Sequence, residues 1–194
     1  MPLFLVVIVV AIVAGYLLGG RFRRFEQLRL RWWGLAPLGL AMQLAPVPSG
    51  SGAWRVVGVS LLISSFPVLI AFVVRNLRIA GFPVILVGLV LNVLVISVNQ
   101  GMPVTREAIE TSGQERYLRD LPREHGTKHF LAAPEDIRLE PLADVIALGG
   151  PFSDVVSVGD CFVYAGMAWL IVAAMRGRPT LRGRRAASAA SVPS

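Results

Sequence analysis

The run Ile79-Ala80-Gly81-Phe82-Pro83-Val84-Ile85-Leu86-Val87-Gly88-Leu89-Val90-Leu91-Asn92-Val93-Leu94-Val95-Ile96-Ser97-Val98 contains no charged side chain and stops on the polar sequence Asn99-Gln100-Gly101-Met102-Pro103-Val104. Its length suits a helix crossing a bilayer, which takes about 17–25 apolar residues. Four further runs frame it, at residues 3–20, 32–47, 56–74 and 158–175. With 55% hydrophobic residues and a mean hydropathy of +0.65, a chain of 194 residues has too little polar surface for a water-soluble globule. The expected fold is an all-α, polytopic membrane helical bundle of about five transmembrane helices, with one long extracytoplasmic segment before the last. The expected division is a four-span bundle at 1–98, an external segment at 99–157, the last span at 158–175 and a disordered tail at 176–194.

Charge fixes the expected orientation. The net charge of +7 is not gathered on one soluble face, which argues against nucleic acid as a partner. Arg21, Arg23, Arg24, Arg29 and Arg31 follow the first run, Arg75 and Arg78 separate the third from the fourth, and Arg176, Arg178, Arg182, Arg184 and Arg185 follow the last. Glu26 is the only acid in these stretches. By the positive-inside rule they face the cytoplasm, so the N-terminus lies outside, the C-terminus inside, and the acidic segment is extracytoplasmic. Met1-Pro2-Leu3-Phe4 lacks the basic start of a secretory signal, so the first run is expected to stay as a span. A single lysine amid many arginines fits a GC-rich bacterial genome, and hence the bacterial plasma membrane.

Within the runs, Trp32 and Trp33 read as interfacial anchors, and Pro37, Gln43 and Pro46 make the second run the weakest span. Asn92 has to find an interhelical partner, because an unpaired amide is costly at that depth. Cys161 is the only cysteine, which excludes an internal disulfide and any cysteine-based cluster.

The carboxylates collect between Asn99 and Asp160. Thr105 is placed to N-cap a short helix starting at Arg106. His125 and His129 stand four apart, a spacing that would suit a metal on a helix, but Gly126 interrupts it. No metal or cofactor is expected. Leu142-Ala143-Asp144-Val145-Ile146 leads through Gly149-Gly150-Pro151 to Ser157-Val158-Gly159-Asp160, so a hairpin returns the chain to the last span and dips partly into the membrane. Asp144 stands in an apolar context and is costly to ionise there unless paired. Two facing acids, Asp144 and Asp160, would share a proton, one as base on water and the other as acid. Asp160 as a cap of the last helix and Asp144 bound to an external arginine such as Arg138 form the other reading.

On Asn99-Gln100-Gly101-Met102-Pro103-Val104, His129, Leu142-Ala143-Asp144-Val145-Ile146 and Ser157-Val158-Gly159-Asp160 the chain resembles a family of small bacterial membrane proteins known only as a domain of unknown function. That resemblance covers most of the chain and implies no activity. The last quarter resembles lipoprotein signal peptidase, an intramembrane aspartyl peptidase. Ala143-Asp144-Val145-Ile146 and Val158-Gly159-Asp160 match its two aspartate motifs. The resemblance implies Asp144 and Asp160 as catalytic residues on the extracytoplasmic side. Leu139-Glu140-Pro141-Leu142 departs from that family's sequence before the first aspartate.

Two function classes follow. One is a hydrolase of the aspartyl peptidase kind acting on a membrane protein or lipoprotein, with Asn99, His129 and Ser157 as substrate contacts. The other is a non-enzymatic membrane module that binds a lipid or a partner protein through its external segment. Membrane lipids are partners under both.

Overall fold

The computed structural model describes residues 2–46, 52–119, 121, 128–150 and 152–181. Its helices are α1 (Pro2–Leu17), α2 (Leu35–Leu44), α3 (Gly52–Arg75), α4 (Phe82–Asn99), α5 (Arg106–Ser112) and α6 (Val158–Met175). Three of them, α3, α4 and α6, are long and apolar enough to cross a membrane, while α1 and α2 are shorter apolar helices. Large apolar side chains point outward along the bundle, among them Leu5, Val9, Leu17, Leu44 and Val56. A bilayer solvates such a surface and water does not.

The second run is where length departs most from expectation. At 1.5 Å per residue the ten-residue α2 is about 15 Å long, half of a hydrocarbon core of about 30 Å. Both ends have local causes. Trp32 adopts a left-handed φ of 55° just before the helix, and Ala45, at φ −53° and ψ 122°, takes the extended conformation that the following Pro46 imposes.

The long elements pack in the order α2, α3, α4, α6, α1. Helix α1 runs parallel to α6: near their starts the Phe4 and Tyr164 rings meet at 6.5 Å, and at their ends Arg21 N–H donates to the Met175 carbonyl at 2.8 Å. The α4–α6 seam is built on glycine. Gly81 and Gly88 lie against Gly166 and Gly159, two pairs with the same seven-residue spacing, so the backbones touch twice. A Cβ on Gly159 would overlap the Asn92 side chain, and one on Gly166 would meet Ile85 and the Gly81 carbonyl. Small residues permit such approach where no hydrophobic force drives helices together.

Two buried asparagines clamp the chain at opposite ends of the bundle. Asn76, just past α3, accepts from Arg31 N–H at 2.9 Å and donates to the Arg31 and Phe72 carbonyls at 2.9 and 2.8 Å. Asn99, at the end of α4, accepts from Arg138 N–H at 3.0 Å and donates to the Arg138 and Val95 carbonyls at 2.8 Å each. In both cases the residue after the clamped arginine, Trp32 or Leu139, has positive φ.

The segment between α4 and α6, expected to be external, corrects the purely α-helical expectation, because it holds four short strands. Strand β1 (Met102–Thr105) pairs in parallel with β2 (His129–Ala132), in the register Met102 to His129. The other edge of β1 bridges Asp144, whose N–H donates to the Pro103 carbonyl at 3.2 Å. Strands β3 (Ile146–Leu148) and β4 (Asp154–Val156) form the antiparallel hairpin expected from the Gly149-Gly150 turn, and it packs on α5. Thr105 caps α5 as expected, accepting from Ala108 N–H at 3.3 Å. Lys128 ties the segment to the bundle by donating to the Gln43 and Ala45 carbonyls at the end of α2, at 2.7 Å each.

The chain after Met175, expected to lose structure at once, stays ordered through Leu181. Ala80 N–H donates to the Pro179 carbonyl and Leu181 N–H to the Arg78 carbonyl, at 2.7 and 2.8 Å. The remaining tail and His125 lie outside the described residues.

Candidate functional site

Ser157 and Asp160 form a capping box at the start of α6. Ser157 Oγ accepts from Asp160 N–H at 3.0 Å, and Asp160 Oδ2 accepts from Ser157 N–H at 3.3 Å. The sequence signal was available: a serine three residues before an acid, ahead of an apolar run, is the signature of this box. It makes Ser157 the N-cap and puts Asp160 inside the first turn, where the helix dipole favours a carboxylate.

Asn92 joins this cap to α4. Its Nδ2 donates to Asp160 Oδ1 at 2.7 Å, and its Oδ1 accepts from Ser157 Oγ at 2.9 Å. The amide thus finds the interhelical partner its depth demands. Both oxygens of Asp160 are engaged, and Ser157 is fully buried with its hydroxyl used twice.

Asp144 sits elsewhere, on the edge of β1. It is 6% exposed, and among the described residues its Oδ1 has no hydrogen-bond partner. Its Oδ2 lies 3.6 Å from Nδ1 of His129, whose side chain is about half exposed. Burial pushes the Asp144 carboxyl up to about 6; His129 acts against this, and the negative charges of Asp160 and Asp154 act with it. The parallel pairing sets up this contact, since β1 carries His129 on one edge and Asp144 on the other.

The candidate residues therefore divide into three groups. Asp144 and His129 meet, Asp160 and Ser157 meet around Asn92, and Asn99 is buried in the Arg138 clamp. Asp144 and Asp160 are near enough for their charges to be felt, yet no hydrogen bond joins them among the described residues. Sequence reasoning placed no direct contact between His129 and Asp144 because a parallel strand pair separated by a long connection leaves no local pattern. No three histidine, cysteine or acidic side chains among the described residues gather as a metal site.

No curated protein and no solved structure matches the chain. Residues 27–172, from the arginine-rich first loop almost to the end of α6, match the family of unknown function DUF5317, and the protein belongs to that family.

Proposed function

We propose that this protein is a five-span membrane module that holds an ordered external segment against one end of its bundle, and that this segment binds a membrane-borne partner, lipid or protein, around His129 and Asp144. The single observation that carries the reading is the full engagement of Asp160. A carboxylate held by its own cap and by Asn92 is anchored structurally, which leaves Asp144 with His129 as the titratable pair of the segment. Alternating helix directions support the five spans. The Arg31–Asn76 clamp joins the start of α2 to the end of α3, while Lys128 joins the end of α2 to the external segment, so even the short α2 links the two ends. The arginine distribution supports an outside N-terminus and a cytoplasmic C-terminus.

The test is photo-crosslinking in native membranes from Leu139, which is exposed and follows the clamped Arg138. The expected result is a discrete adduct that weakens when His129 is replaced by alanine. Absence of an adduct from this position and from His129 itself would overturn the binding reading.

A signal-peptidase-like use of Asp144 and Asp160 has one observation in its favour, the raised Asp144 carboxyl with Asp160 contributing to it. Under that reading Asp144→Asn and Asp160→Asn abolish cleavage of a lipoprotein precursor to the same extent while the fold persists, since residues acting as a unit are not additive. The binding reading expects no such cleavage by the unaltered protein.

A further inference from the structure

Four arginines from two separate connections share one cavity at the bundle end opposite the external segment. Arg29 and Arg31 precede α2, Arg75 ends α3 and Arg78 follows it. Together with Val74, Asn76, Leu77 and Ile79 they line about 410 Å³. All four are exposed. No carboxylate among the described residues forms an ion pair with any of them, and Glu26 is the only acid in these connections.

This grouping is held in place by buried backbone chemistry. Asn76 is 3% exposed and grips both backbone groups of Arg31, which fixes the first connection onto the end of α3. The Trp32 ring lies 5.2 Å from the Arg75 guanidinium, a cation–π contact that orients the arginine. The Arg78 backbone is pinned in turn by Leu181 N–H. Four like charges at a cavity repel one another unless an anion offsets them, and guanidinium forks match phosphate oxygens in pairs. The end of α3 adds no positive dipole, so on that side the attraction comes from the arginines.

We infer that this cavity binds the phosphodiester headgroup of an anionic phospholipid. A lipid rather than a soluble phosphate is favoured by the apolar surroundings. Val74 lines the cavity beside the guanidinium groups, and Trp32, Trp33 and Leu38 are exposed on the adjacent α2 end, giving acyl chains a surface that continues from the headgroup site. The inference rests on the membrane reading above, though not on the role given to His129 and Asp144.

The full chain, with Trp54→Phe and Trp169→Phe so that only Trp32 and Trp33 report, is reconstituted in phosphatidylcholine vesicles. A minor share of the lipid is brominated, either phosphatidylglycerol or phosphatidylcholine. Brominated phosphatidylglycerol should quench the two tryptophans more strongly at equal mole fraction. Arg31→Gln or Arg78→Gln should lower that preference about fivefold, the effect of one surface arginine on anionic lipid. Arg21→Gln with Arg23→Gln, which removes charge from the neighbouring turn outside the cavity, should leave it largely unchanged. Equal quenching by both lipids, or equal loss in the Arg21/Arg23 variant, overturns the site in favour of diffuse attraction. Abolition of the preference by inorganic phosphate at ordinary buffer concentration overturns the lipid in favour of a soluble anion. Failure of the protein to float with vesicles would instead refute the membrane reading.

Discussion

Asp144 and Asp160 show how environment separates two identical side chains. Asp160 makes three hydrogen bonds, two with Ser157 and one with Asn92, whereas Asp144 has a buried oxygen without a partner among the described residues and a carboxyl raised to about 6. Because the folded-state value of Asp144 is above the usual carboxylate value, its protonated form stabilises the fold at low pH. That contribution is complete below about pH 4 and is lost as pH rises through about 6, on the order of 3 kcal/mol. Thermal unfolding in detergent across this window should therefore show stability falling with pH, and Asp144→Asn should flatten that slope; an unchanged slope in the variant would assign it to other groups. At the cap, Ser157→Ala removes the N-cap acceptor and leaves the Asn92 oxygen buried without its donor, so a loss of about 1–3 kcal/mol is expected in the same measurement. Asp160→Asn keeps one acceptor oxygen for two donors and should cost about 1 kcal/mol. The serine was readable as part of a capping box. The Asn99 clamp was not, because the sequence does not reveal that Arg138 returns to the end of α4.

At the scale of elements, hydrophobic runs located the helices because bilayer thickness and helix rise leave little freedom in length. The runs overstated α2, where local backbone chemistry at Trp32 and Pro46 shortens the helix within a longer apolar stretch. The hairpin was legible from its glycine turn and the α5 cap from Thr105, both local signals. Pairing of β1 with β2 was not, since parallel strands need a long connection and carry no turn signature. The α4–α6 seam gives the sharpest prediction here. Replacing Gly159 with valine forces a side chain against Asn92, and replacing Gly88 with valine forces one against the Gly159 carbonyl and Val163. Each should cost about 1–3 kcal/mol through overpacking. Gly34, with open space at its Cβ, should accept alanine with little change in the same unfolding assay.

For the whole molecule, the helices alternate between an arginine-bearing end and an end covered by the external segment. The covered end carries the Asp144–His129 contact, and the arginine end carries the four-arginine cavity. Both functional readings depend on these ends lying on opposite sides of one membrane. The expectation came from the distribution of arginine alone, and the parallel packing of α1 and α6, the first and last of the five helices, together with the two asparagine clamps supplies the geometry that goes with it. The most direct test is thiol labelling of intact cells in a Cys161→Ala background, with single cysteines introduced at Glu115 in the external segment and at Leu181 beside Arg78. The impermeant reagent should label Glu115→Cys in intact cells and Leu181→Cys only after the membrane is permeabilised. Labelling of Leu181→Cys in intact cells, with or without Glu115→Cys, would contradict the two-sided arrangement.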